Sequence, residues 1–114
     1  MKRFNSLKKN SEFQAVYREG KVYANKYLVM HVLCTDRPDT RLGISVSKKV
    51  GNSVVRHRFA RLARESFRLN KDILKQGKDI VVVARAAAKG KNFDKIESAF
   101  LHLCGLHNIL EESK

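Results

Sequence analysis

The chain has 114 residues, 43% of them apolar, and carries 24 Lys and Arg against 11 Asp and Glu for a formal net charge of +13. That size suits one domain over residues 1–114 with a hydrophobic core of its own, and two cysteines seventy positions apart argue against a disulfide framework and for a reducing cytosol. The excess charge is uneven: residues 1–70 hold 16 basic and 5 acidic side chains, residues 71–114 hold 8 and 6, so the first part is the expected face toward a polyanion.

The opening segment MKRFNSLKKNSEF is basic but lacks the apolar core of a secretory leader. Ser11 with Gln14 reads as a capping box, and Phe13, Val16 and Tyr17 follow at helical spacing until Gly20. From Lys21 to Cys34 the period changes to two, with Leu28, Met30, Val32 and Cys34 on one face and Tyr27, Val29, His31 and Leu33 on the other. Cys34 reads as a small buried hydrophobe. This apolar stretch is broken by His31 and is too short to span a bilayer, so a soluble, cytoplasmic protein with no membrane partner is expected. Thr35 to Thr40, with the only proline, forms a turn, and Arg41 to Ser47 alternates Leu42, Ile44 and Val46 against small residues. Pairing of these two strands as a hairpin is the expectation.

The next segment, KKVGNSVVRHRFARLARESFR from Lys48 to Arg68, sets seven basic residues against the single carboxylate Glu65. Gly51, Asn52 and Ser53 can end the strand and cap a helix. Helical spacing then puts Val55, Phe59, Leu62, Ser66 and Leu69 on one side. His57, Arg61, Arg64 and Arg68 lie opposite as a stripe roughly 16 Å long, flanked by Arg56 and Arg58. Like charges three and four apart destabilise an isolated helix, so the stripe reads as a surface for nucleic-acid phosphate, although a basic helix face is commonly just solvated.

Asp79 to Ala84 contains Ile80-Val81-Val82-Val83, apolar on both sides as in a strand buried within a sheet. Phe93, Ile96, Phe100, Leu103 and Leu110 recur at helical intervals and predict a last helix laid on that sheet. The fold class is α/β (α+β), a two-layer sandwich with three helices and one mixed sheet of about four strands in the order αβββαβα.

The run LGISVSKKVGNSVVRHRFARLARESFRL resembles the signature of the bacterial ribonuclease P protein component. SEFQAVYREGKVYANKYLV is similar to that family's first helix and opening strands, and KDIVVVAR to its last strand. The resemblance implies a left-handed βαβ crossover, where general handedness rules alone predict a right-handed one. It implies as partners a catalytic RNA, with one protein per RNA, and the 5′ leader of precursor tRNA, which the holoenzyme removes. It further implies that the holoenzyme requires divalent magnesium, held mainly by RNA, with no cofactor bound tightly by the protein. The family's Arg-Asn-Arg motif falls on Arg56, His57 and Arg58, and Lys48, Lys49, Asn52, Arg61, Arg64 and Arg68 continue the RNA-binding surface. His57 departs from that pattern: it offers one donor and one acceptor when neutral and two donors when charged. The implied leader-binding cleft, between the first helix and the sheet, holds Phe13, Tyr17 and His31, and strand alternation adds Tyr27 and Val29. Without the resemblance, Phe13 and Tyr17 at i, i+4 read as core, and an imidazole at position 31 stacks less well than the aromatic ring frequent there.

No catalytic residue is expected in the polypeptide. Cleaving a phosphodiester needs an activated nucleophile with an acid, or carboxylates clustered around metals, and the acidic residues are scattered from Glu12 to Glu112. His102, Cys104 and His107 on one helix do not converge as a metal site. The alternative function is a general structured-RNA-binding or ribosomal protein without a role in cleavage.

Overall fold

The computed structural model describes residues 6–111. The first five residues of the basic opening segment and Glu112 lie outside them. The chain runs through helix α1 (Asn10–Glu19), strands β1 (Lys21–Ala24), β2 (Leu28–Cys34) and β3 (Arg41–Ser45), helix α2 (Ser53–Asn70), strand β4 (Lys78–Ala84) and helix α3 (Phe93–Leu106). The helix and strand order is the expected αβββαβα.

The sheet order is β1-β2-β4-β3, with β1–β2 and β2–β4 antiparallel and β3–β4 parallel. The expected hairpin between β2 and β3 therefore does not form. β4 inserts between them because Ile80, Val81 and Val82 must be covered on both faces, and each is fully buried. α2 is the crossover between the parallel pair β3 and β4.

Register assigns every side chain to a face. Leu28, Met30, Val32, Leu42, Ile80, Val82 and Ala84 share one face and join Phe59, Ala63 and Phe67 of α2 and Ile96, Phe100 and Leu103 of α3 in the main core. Phe67 and Phe100 meet edge to face at 6.5 Å, a favoured geometry for aromatic quadrupoles. The opposite face carries Val29, His31, Leu33, Val81 and Val83, against which α1 packs Val16, Phe13 and Tyr17 together with Leu7. α1 thus adds a partial third layer to the expected two.

Local departures have plain causes. α1 is capped by Glu12, whose carboxylate accepts from Lys8 N–H and Lys9 N–H at 2.9 Å each, rather than by Ser11 and Gln14. The buried face of α2 is Phe59, Ala63, Ser66 and Phe67, while Leu69 in the last turn is 53% exposed. α3 stops at Leu106, with Asn108 in the left-handed region (φ 57°), so Leu110 lies beyond the helix and bridges Leu74 instead. Cys34 is exposed: it ends β2 opposite Lys78, at the margin of the sheet.

Candidate nucleic-acid interface

Three sequence features position α2. Gly51 allows the tight approach at its start, since a Cβ there would lie 2.7 Å from Val55 Cβ. Asn52 is the cap, its Oδ1 accepting from Val55 N–H at 3.0 Å. Val50, Phe59, Ala63 and Phe67 then fix the rotation of the helix by burial, which leaves His57, Arg58, Arg61, Arg64 and Arg68 exposed.

These cations are not equally free. His57, Arg61 and Arg64 make no hydrogen bond or ion pair among the described residues, and Lys48 and Lys49 stand exposed on the turn before the helix. Arg68 is engaged by Glu65 through bonds of 2.6 and 2.9 Å, a contact that also holds the Glu65 carboxyl below its ordinary range. Arg58 donates to the Lys91 carbonyl at 3.1 Å. Arg56 is half-buried, and its Nε is a buried donor without a partner among the described residues, the kind of orphan that an incoming acceptor satisfies. Asn52 belongs to the cap through Oδ1, which leaves its Nδ2 donors for a ligand.

The second site lies across the sheet. Tyr17 and His31 meet edge to face at 4.9 Å, and burial pushes the His31 pKa down. Phe13 lies on Gly43, where a Cβ would come within 2.7 Å of its ring. Val29 is on the same face, opposite Val83. Phe13, Tyr17, Val29 and His31 are each half-buried, so this group is neither sealed core nor fully exposed platform.

Tyr27 is not with them. β2 begins only at Leu28, and Asn25 Oδ1 accepts from the N–H groups of both Tyr27 and Leu28, which turns the chain there. Alternation does not extend through a turn, and the Tyr27 ring packs against the α2–α3 core instead.

Sequence reasoning also missed an ion-pair cluster. Arg41 donates to Asp79 through two bonds, at 2.9 and 2.6 Å, and to Glu12 at 2.7 Å, joining β3, β4 and α1 on the cleft side. The available signal was Asp79 itself, a carboxylate heading a fully apolar strand, which demands a cationic partner. Among the described residues no three His, Cys, Asp or Glu converge to hold a metal ion, and two of these carboxylates are committed to Arg41.

The model of the ribonuclease P family matches residues 1–107. The chain belongs to the ribonuclease P protein family. It is 59% identical over 109 residues to the ribonuclease P protein component of Lachnoclostridium phytofermentans, covering 96% of this chain and 94% of that one. The Alkaliphilus metalliredigens protein component is 48% identical over 87% of the chain and 89% of the relative. Among solved structures, the Staphylococcus aureus RNase P protein superposes with TM-score 0.86 at 35% identity, over 96% of this chain and all of that one. The Thermotoga maritima RNase P protein gives 0.81 at 31% identity, over 88% and 94%. The chain is accordingly the protein component of an RNA-containing endoribonuclease of tRNA processing, and ribonuclease P RNA is its partner. Among the described residues no helix is long and apolar enough to cross a membrane.

Proposed function

We propose that α2 anchors the catalytic RNA and that the α1 cleft holds the 5′ leader of precursor tRNA. The observation that carries the first half is the line of His57, Arg61 and Arg64, exposed on one helix face with no partner among the described residues. Guanidinium groups on a rigid helix suit the phosphates of structured RNA through charge-assisted bonds. Lys48, Lys49, Arg56 and Arg58 extend this surface, and Arg68 joins it by exchanging Glu65 for phosphate. The second half rests on the half-buried rings of Phe13, Tyr17 and His31, which offer stacking surfaces beside Val29 to a single strand.

In this reading the polypeptide positions substrate and screens charge in the cytoplasm, one copy per RNA, while magnesium is bound mainly by the RNA. Reconstitution with the RNA subunit tests it. The wild-type chain should stimulate cleavage of precursor tRNA at low magnesium, and Arg61→Glu with Arg64→Glu should abolish assembly. Assembly that survives the double reversal would remove α2 from the interface, and RNA binding without stimulation would favour a general RNA-binding protein.

A further inference from the structure

The basic surface continues past α2. Arg58 fastens the loop at residues 89–91 through the Lys91 carbonyl, and the Lys91 ammonium lies 5.8 Å from the centroid of the Tyr27 ring. Lys26 reaches the same ring at 5.7 Å. Beside the ring opens a cavity of about 290 Å³, whose wall includes Lys26, Tyr27, Lys95 and His102 and no carboxylate.

The support for this cavity is rigid. Asn25, which holds the turn before β2, also donates through Nδ2 to the Ala99 carbonyl at 3.0 Å and meets His102 Nδ1 at 3.1 Å. Arg85 donates to the Asn25 carbonyl at 2.9 Å. One side-chain amide therefore ties the turn to α3. With Nδ1 accepting from Asn25, the His102 ring proton sits on Nε2, a further donor at the cavity wall.

We infer that this cavity receives one unstacked base of the ribonuclease P RNA, stacked on Tyr27, with the flanking phosphates on Lys26, Lys91 and Lys95. Two ammonium groups within 6 Å of one ring repel each other, and a phosphate relieves that repulsion while drawing a cation off the ring and freeing its face. The volume is at the scale of a small-ligand pocket, about 300 Å³. Charge complementarity selects a polyanion, and an aromatic ring between cations selects its single-stranded portions. Position selects the RNA subunit rather than the leader: Tyr27 packs on the α2–α3 side of the sheet, away from α1, and connects to α2 through Arg58 and Lys91. The inference rests on the proposed reading of α2 as the RNA-facing helix.

The test is equilibrium binding of the full-length protein to the transcribed RNA subunit, without tRNA. Lys26→Gln with Lys91→Gln should weaken binding about ten-fold and make the salt dependence shallower by roughly two ions. Tyr27→Leu should weaken it about ten-fold, the scale of one base–aromatic stack, and Tyr27→Phe should not. A photoreactive benzoylphenylalanine at position 27 should crosslink to the RNA subunit. If both Lys26→Gln/Lys91→Gln and Tyr27→Leu bind normally while Arg61→Glu/Arg64→Glu does not, the pocket is refuted and α2 stands. If the α2 reversal also binds normally, the reading of α2 fails too. A loss seen only with precursor tRNA, and not with the RNA subunit alone, would assign the pocket to the leader and overturn the proposal.

Discussion

Arg41 and Asp79 face each other across the parallel β3–β4 pair through two hydrogen bonds, 2.9 and 2.6 Å long, with side chains 14% and 6% exposed. The third bond, to Glu12, makes this pair the clamp between α1 and the sheet. Asp79→Ala leaves a largely buried guanidinium without its bidentate partner and should destabilise the fold by roughly 3–5 kcal/mol. Replacing both residues with apolar side chains of similar volume should be much milder. Urea denaturation of the two variants checks the difference.

Acid should loosen the same clamp. Bonds from the Lys9 and Lys8 backbone N–H groups, then the one from Arg41, hold the Glu12 carboxyl at about 2, below its ordinary 4.5. A lowered carboxyl contributes stability that is complete above about pH 4.5 and is lost as pH falls toward 2. Melting temperature followed over that range should fall more steeply for the wild type than for Glu12→Gln. Parallel curves would mean the carboxylate is not linked to folding.

Leader recognition in the cleft can be separated from RNA assembly. Tyr17→Ala should weaken precursor tRNA binding to the holoenzyme about five- to ten-fold while leaving mature tRNA unchanged. His31→Tyr should strengthen precursor binding through a larger stacking surface. Equal effects of either variant on both tRNAs would detach these residues from the leader.

The electrostatic reading of α2 predicts a salt response. With about five phosphates neutralised, log K for the RNA subunit should fall against log salt with a slope of roughly −3 to −5. Arg61→Ala should make that slope shallower by about 1, without a sequence preference. A flat response in the wild type is the outcome that sinks the assignment.

The two thiols should behave differently. Burial pushes Cys104 up to about 12 and encloses it in the core, whereas Cys34 is exposed beside the Lys78 ammonium at 3.3 Å. A thiol reagent should modify Cys34 in the native protein and Cys104 only with unfolding. Fast labelling at both positions would place Cys104 outside a closed core.

Where one face is buried, period alone was enough to place the strand and its buried face. Leu28, Met30 and Val32 turned inward as alternation requires, and the run Ile80–Val82 marked a strand covered on both sides. The same run held the clue to the pairing error: a strand covered on both faces needs neighbours on both edges, and β2 and β3 supply them. Alternation failed at Tyr27, which lies in a turn where local hydrogen bonds decide direction instead of the pleat, and at Cys34 it did not bring burial, because the sheet ends there. Helical spacing located the basic stripe but chose Leu69 over Ala63 and Phe67, because the rotation of α2 is set by contacts with α3 that spacing does not contain. Nor could it show that Arg68 is held by Glu65 or that Arg58 reaches Lys91. The second is a tertiary contact, thirty-three residues apart in the chain, whereas the first is an i, i+3 pair within α2 whose rotamers spacing alone does not fix.

Placing β4 between strands that precede it imposes an order on biosynthesis. Until Lys78 to Ala84 has emerged from the ribosome, β3 lacks its strand partner and the nascent chain can close only the short β1–β2 ribbon. The cationic helix is therefore synthesised before the core that orients it can close.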